Sequence, residues 1–156
     1  GADPLGTATL PRYKLRFCRY ADIVPDNEGE VLGAIFKLTP ACVRALDSYE
    51  GPEYAQITVH VVANGRRLKA MAYAMQHNAK TAPPDMDHYR EIARGYQDWK
   101  LDEARLRRAR YDTLQTSPDS GSQSHAQSNP QRRATWDPAA SPSGDVIRSA
   151  TRRNQD

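Results

Sequence analysis

The stretch EVLGAIFKLTPACVRALDSYEGPEY, residues 30–54, decides the fold of this 156-residue chain. Residues 30–38 are apolar on both alternating faces, which predicts a central strand that is covered on two sides or closed into a barrel. Thr39 and Pro40 then provide an N-cap and a first helical residue, and Gly51 can end the helix. The stretch therefore predicts a strand, a short helix and a second strand.

The segments on either side extend this mixed pattern. Residues 13–17 alternate between apolar and polar side chains and predict a half-buried strand. Asn64-Gly65 predicts the turn of a hairpin that covers residues 56–75. The simplest fold class that fits this order of elements is α+β, with a small mixed β-barrel and flanking helices. The remaining predicted elements are a turn at 25–29, a proline-containing loop at 81–85 and short helices at 87–95 and 101–111.

Composition divides the chain into two parts. The mean hydropathy is −0.79, and the deficit of apolar residues is concentrated at 115–156, which contain no Phe, Tyr, Leu or Met. A segment rich in Ser, Gln, Pro and Arg cannot bury enough apolar surface to offset its ordering entropy. We therefore predict one folded domain at 1–114 and a disordered tail at 115–156.

Charge and cysteine usage restrict the function classes. The formal net charge is +3 and the sequence pI is about 9.0. Acidic residues are interleaved with basic ones in the folded part, which favours a solvated surface over a nucleic-acid site. No apolar run reaches the length of a membrane span, and no signal peptide is visible. With two widely spaced cysteines and no ligand spacing, we expect a cytoplasmic protein without metal or organic cofactor. The oligomeric state is open. A weaker alternative is nucleic-acid association through arginines of the tail, Arg132, Arg133, Arg148, Arg152 and Arg153.

One carboxylate, Glu50, is the candidate for acid–base chemistry. It lies at the end of the predicted helix, next to a sheet and among aromatic residues. The negative end of the helix dipole and partial burial both favour the protonated carboxyl group, which makes the carboxylate a better proton acceptor near neutral pH. The alternative interpretation is a solvated turn residue, as most glutamates before glycine are.

Four tyrosines and one glycine are further candidates. Tyr54, Tyr73 and Tyr89, together with Tyr49, could line a pocket with hydroxyl donors, but buried tyrosines are also common in cores. Gly33, in the middle of the central strand, either marks a bulge or lets a ligand approach the backbone closely.

Residues 4–111 resemble the γ-glutamylcyclotransferase-like (AIG2-like) family in the order and spacing of several segments. The segment from the central strand through LD-x-YEG to Tyr54 is the specific part of this resemblance, and the helical segments add little alone. The matching segments are PLGTATLPRYKLRF, ADIVPDNEGEVLGAIFKLTP, ALDSYEGPEY, LKAMAYAM and APPDMDHYREIARG.

The resemblance implies a small β-barrel and an enzyme that acts on γ-glutamyl amines, amino acids or peptides. In such enzymes the α-amine of the substrate attacks its own γ-carbonyl, which gives 5-oxoproline and a free amine. The family's essential glutamate falls on Glu50. Its substrate-contacting tyrosines fall on Tyr54 and Tyr89, and Gly33 and Tyr73 complete the predicted substrate-binding set. The alternative function is a non-catalytic relative that binds a ligand or a protein.

The resemblance also contains one departure. The family opens with a strand and loop that read roughly Tyr-Gly-Ser-Asn, whose backbone amides hold the glutamyl group, and this sequence starts after that point. We therefore expect a barrel that lacks a strand, an open sheet edge, self-association and little or no turnover by the 156-residue form. Either a longer gene product is the enzyme, or the chain is a binding relative.

Overall fold

The computed structural model of the chain describes residues 2–76, 79–116 and 145–148. The strands follow the order β1-β2-β5-β4-β3 and close into a barrel, in which every neighbouring pair is antiparallel except β4 and β5. Three helices flank this barrel, so the predicted α+β barrel class is confirmed. The elements are β1 (Asp3–Cys18), β2 (Tyr20–Lys37), α1 (Pro40–Glu50), β3 (Tyr54–Ala63), β4 (Arg66–Met75), α2 (Met86–Asp98), α3 (Glu103–Thr116) and β5 (Asp145–Arg148).

The turn predicted at 25–29 is wrong, because this segment lies inside β2. Gly29 is needed there, since a Cβ atom at this position would lie 2.4 Å from the carbonyl oxygen of Tyr13. The reversal between β1 and β2 is made by Arg19, whose φ is 67°. Arginine is rare in this conformation, and the sequence therefore gave no sign of the turn.

The main core fills the barrel and extends under α2 and α3. Phe17 from β1, Val61 from β3 and Ile92 from α2 are completely buried. Leu106 attaches α3 to the same cluster, and the backbone N–H of Phe17 donates a hydrogen bond to Oγ1 of Thr113 at 3.1 Å. Each large apolar side chain buried in this way contributes about 1.5–3 kcal/mol. The two C-terminal helices are thereby fixed to the first strand.

A second, smaller core attaches α1 to the opposite face of the sheet. Leu38, Cys42 and Leu46 are buried together, and Met71 and Tyr73 of β4 pack against them. The residues that alternate with these two along β4 belong to the barrel core, as the two-residue period of a strand requires. The helix that ends in Glu50 is therefore fixed over β4, outside the barrel.

The expected open sheet edge is not present in the described chain. Residues 34–37 of β2 pair antiparallel with β5, and Met71 of β4 pairs with Val146 in parallel. Val146 and Ile147 are adjacent β-branched residues in a tail that is rich in polar residues, which suits a strand. The predicted tail at 115–156 thus contains one described strand. Apart from the end of α3, the rest of that segment lies outside the described residues.

Hairpin and cap predictions were accurate for the central elements. Asn64 and Gly65 have φ values of 50° and 72° and form the tip of the β3–β4 hairpin. Thr39 precedes α1 in an extended conformation, although its side chain makes no capping hydrogen bond.

Cys18 and Cys42 are free. Within the described ranges, no helix has both the length and the apolar character needed to cross a membrane.

Candidate functional site

Glu50 is the last residue of α1, and the chain turns sharply after it. Gly51 has a φ of 74°, which favours glycine, and its N–H donates to the carbonyl oxygen of Asp47 at 3.1 Å. The N–H of Tyr54 in turn donates to the carbonyl oxygen of Gly51 at 3.3 Å, so β3 begins directly. Leu46 anchors the same turn in the second core. Leu46, Asp47 and Gly51 of LD-x-YEG therefore each contribute to the structure of the turn that carries Glu50.

The side chain of Asp47 joins this turn to the β3–β4 hairpin. Its Oδ1 accepts a hydrogen bond from the Tyr73 hydroxyl at 2.6 Å and another from Nε2 of Gln56 at 2.5 Å. Gln56 and Tyr73 are direct cross-strand partners in the hairpin, and their own side-chain atoms are 3.4 Å apart. We call Asp47, Gln56 and Tyr73 the helix anchor. Of these three residues, only Tyr73 is among the candidates from the sequence.

The electrostatics of the helix anchor keep Tyr73 protonated. Burial raises the pKa of Tyr73 well above the usual value for tyrosine, and the hydrogen bond to Asp47 raises it further. The negative charge of Glu50 also contributes to this rise. Tyr73 is consequently a fixed hydrogen-bond donor at neutral pH and not a proton acceptor.

Tyr54 lies on the same face of the hairpin and contacts the β1–β2 turn. Its hydroxyl donates to the carbonyl oxygen of Ala21 at 2.8 Å, and the N–H of Ala21 donates to Nε2 of His88 at 3.1 Å. Asp85 caps α2 by accepting from the N–H of His88. Because Nε2 of His88 accepts a hydrogen bond, this nitrogen carries no proton. The hydrogen bonds of Ala21 therefore connect the candidate residue Tyr54, at the start of β3, with His88 at the start of α2.

Asp22, which follows Ala21 in β2, is a buried carboxylate that is not among the candidates from the sequence. Its Oδ2 lies 2.9 Å from Nε of Arg16, and its Oδ1 accepts from the backbone N–H of Met75 at 2.8 Å. The group thus connects β1, β2 and β4. The available signal was an aspartate between Ala21 and Ile23 on an apolar strand, a position that requires partners for the charge.

The remaining predicted site residues lie in the main core rather than in the helix anchor. The ring of Tyr89 packs 5.8 Å from the ring of Phe17, and the Arg110 guanidinium lies 5.1 Å from its centroid. Gly33 is buried in β2 between Val31 and Ile35, which belong to the barrel core. Asp47 thus connects the helix that ends in Glu50 with Tyr73, whereas Tyr89 and Gly33 lie among residues of the main core.

A metal centre has no support among residues 2–76 and 79–116. In these ranges no three His, Cys, Asp or Glu side chains are grouped closely enough to hold an ion. The described site offers a carboxylate at a helix end and two phenols, Tyr54 and Tyr73, that are fixed by hydrogen bonds. Such a set can move protons and orient a small polar molecule.

The barrel architecture is shared with a solved structure. YkqA from Bacillus subtilis superimposes with a TM-score of 0.59 at 23% identity, over 75% of this chain and 46% of that chain. At this level of identity the similarity shows the fold. The molecule is thus one of the small barrels that carry a helix across one face of the sheet.

Sequence comparison identifies the family. Residues 2–101 match the family described as gamma-glutamyl cyclotransferase, AIG2-like. The chain is also 37% identical over 84 residues to AIG2-like protein A from Arabidopsis thaliana, which corresponds to 51% of this chain and 50% of that protein. The chain belongs to the γ-glutamyl cyclotransferase, AIG2-like family. It spans about half the length of the curated relative that it matches.

Proposed function

We propose that the protein to which this chain belongs is a γ-glutamylcyclotransferase. Its substrates would be γ-glutamyl amines, amino acids or peptides, and its products 5-oxoproline and a free amine or amino acid. The family match supports the reaction class. The observation that carries the proposal is the position of Glu50, which ends α1 at a glycine-determined turn directly before the strand that begins at Tyr54.

The reaction requires few catalytic groups from the protein. The α-amino nitrogen of the substrate attacks its own γ-carbonyl carbon and forms the new C–N bond of the five-membered lactam. The bond from this carbon to the leaving nitrogen then breaks. Because nucleophile and electrophile belong to one molecule, ring closure benefits from proximity once the substrate is held in a bent conformation. The protein must supply a base for the α-ammonium group, an acid for the leaving nitrogen and donors for the developing oxyanion.

Glu50 is proposed as the proton shuttle between these two nitrogens. Its carboxylate takes a first proton from the α-ammonium group, which frees the amine for attack, and a second proton leaves the attacking nitrogen once the new C–N bond has formed. One of these protons passes to the leaving nitrogen as the amide bond breaks, and the other converts the released amine to its ammonium form. A single carboxylate is sufficient, because the two protons lost by one nitrogen are gained by the other one at a time. Tyr73 is unsuited to the task of base because its raised pKa keeps it protonated.

Tyr54 is proposed to contact the substrate beside Glu50. It lies four residues after Glu50, and its hydroxyl is fixed by the hydrogen bond to Ala21. A fixed phenol loses little conformational entropy when a ligand binds, which favours affinity. For Tyr89 and Gly33 the proposal of substrate binding rests on the family resemblance alone.

The test is 5-oxoproline release from a panel of γ-glutamyl amines, amino acids and dipeptides. Both the 156-residue chain and the full-length product of its gene should be assayed. Glu50→Gln keeps the shape of the side chain and removes the base, so we expect turnover to fall by about 10²–10⁴. Glu53→Gln is the matched control, because Glu53 is an exposed carboxylate three residues away.

The outcomes separate enzyme from binding protein. Unchanged turnover in Glu50→Gln would reject the assigned base. Saturable binding of γ-glutamyl ligands by the full-length product, with no 5-oxoproline released from any member of the panel, would establish the non-catalytic alternative.

A further inference from the structure

We propose that Asp47 is a positioning residue for Glu50, which fixes the last turn of α1 on the Gln56–Tyr73 pair. This inference rests on the proposed function in so far as Glu50 is the proton shuttle. It assigns Tyr73 to the support of the base, whereas sequence analysis had placed Tyr73 among the residues that touch substrate.

The first support is that one carboxylate oxygen connects the helix to both strands of the hairpin. Oδ1 of Asp47 accepts from Tyr73 on β4 and from Gln56 on β3. These two donors face each other in the strand register, so the hairpin itself fixes their separation. Acceptance of two hydrogen bonds from a paired set of donors restricts both the position and the rotation of the Asp47 side chain.

The second support is that Asp47 also defines the end of the helix. Its carbonyl oxygen accepts from the N–H of Gly51, so the turn that follows Glu50 closes back onto Asp47. Asp47 and Glu50 are three residues apart on α1, a spacing that puts both side chains on the same side of a helix. Two contacts of Asp47 therefore restrain the backbone of Glu50. The Asp47 side chain binds the sheet, and the Asp47 carbonyl oxygen binds the N–H of Gly51, the residue after Glu50.

The third support is the chemical state of Tyr73. Its pKa is raised by burial first and by the bond to Asp47 second, so the phenol donates to Asp47 over the whole neutral range. A donor with this stability is suited to a permanent anchor. Asp47 and Gln56 are themselves exposed, so the contact lies at the surface edge of the second core, where packing alone restrains the turn least.

Catalytic bases are sensitive to small displacements, and a shift of about 1 Å can lower the rate on the order of 10²-fold. We expect Asp47→Ala to lower kcat by about 10- to 100-fold, with less than about a threefold change in KM. Asp47→Asn keeps an oxygen that accepts from Tyr73, and it should restore most of kcat. Tyr73→Phe should resemble Asp47→Ala, and the double variant should be no worse than Asp47→Ala, because both changes remove one shared bond.

The experiment measures kcat, KM and thermal unfolding of the full-length product for these variants, with Ser48→Ala as the control. Ser48 is an exposed neighbour on the same helical turn, and its variant should keep the wild-type kcat. Multiplicative losses in the double variant would overturn the proposal. So would wild-type kcat in Asp47→Ala, or a loss confined to KM.

Two further measurements on the 156-residue chain separate this inference from the proposed function. Asp47→Ala should lower the pKa of Tyr73, followed by the tyrosinate absorbance against a Tyr73→Phe reference. The same variant should accelerate hydrogen exchange of the Gly51 amide. If the wild-type protein releases no 5-oxoproline but both effects occur, the proposed function fails and the anchoring of the Glu50 turn stands. If neither effect occurs, the positioning role is rejected whatever the activity.

Discussion

Asp22 and Arg16 form an ion pair of 2.9 Å in which the Asp22 side chain is 1% exposed and the Arg16 side chain 23% exposed. The second oxygen of Asp22 accepts a hydrogen bond from the backbone N–H of Met75, so the Asp22 carboxylate also joins β2 directly to β4. Asp22 therefore connects β2 and β4, the two neighbours of β5, by a hydrogen bond that does not involve β5.

We predict that Asp22→Ala destabilises the fold by about 3 kcal/mol, because it leaves a half-buried guanidinium and a backbone N–H without their carboxylate. Urea unfolding followed by circular dichroism measures the effect. The control is Asp98→Ala, which removes an exposed carboxylate at the end of α2 and should cost less than about 0.5 kcal/mol. Equal stability of the two variants would show that the Asp22 pair contributes nothing net.

The sequence predicted the elements whose signals are local. The Asn64-Gly65 turn, the Pro40 start and Gly51 end of α1, and the apolar strand of residues 30–38 all follow from conformational preference and periodicity. The fold class followed from their order. Glu50 becomes a candidate because helix end, glycine and following strand are adjacent in sequence, but these signals also fit a solvated turn residue, and only the family resemblance favours the catalytic interpretation.

What could not be predicted depends on contacts between distant residues. Asp47 reaches Tyr73 across 26 positions, and Asp22 reaches Met75 across 53. An exposed aspartate before Ser48 has no local feature that marks it as an anchor. The bulge in β2 was mistaken for a turn because Pro25 and Gly29 have the same local preferences in both, and only the pairing with β1 decides between them.

We predict that removal of residues 117–156 promotes self-association. The deletion takes away β5, and the edges of β2 and β4 then present unpaired backbone groups beside buried Ala34 and Ile35. Size-exclusion chromatography with light scattering should detect dimers or larger species. Removal of residues 149–156 alone, which keeps β5, is the matched control and should leave the oligomeric state of the full chain unchanged. A monomeric deletion variant of unchanged stability would show that β5 has no closing role.

We predict that Tyr96 makes the fold sensitive to alkaline pH. Burial raises its pKa to about 12, while the Arg105 charge opposes this rise. Since the folded-state value exceeds the unfolded value of about 10, the neutral phenol stabilises the fold fully below pH 10. This stabilisation is lost as the pH rises from 10 through 12, with a total on the order of 2–3 kcal/mol. Between pH 8 and 11.5 the unfolding free energy of Tyr96→Phe should therefore fall less than that of the wild type. Parallel curves would contradict the prediction.

The last prediction concerns Tyr54, whose hydroxyl donates to Ala21. Tyr54→Phe removes this bond and should lower stability by about 1 kcal/mol. If Tyr54 also orients the substrate beside Glu50, the variant should raise KM about tenfold for γ-glutamyl substrates, at temperatures well below its unfolding midpoint. Tyr111→Phe is the control, because Tyr111 is exposed on α3 and its hydroxyl is outside the candidate site. A stability loss without any change in KM would make Tyr54 a purely structural residue that holds the β1–β2 turn against β3.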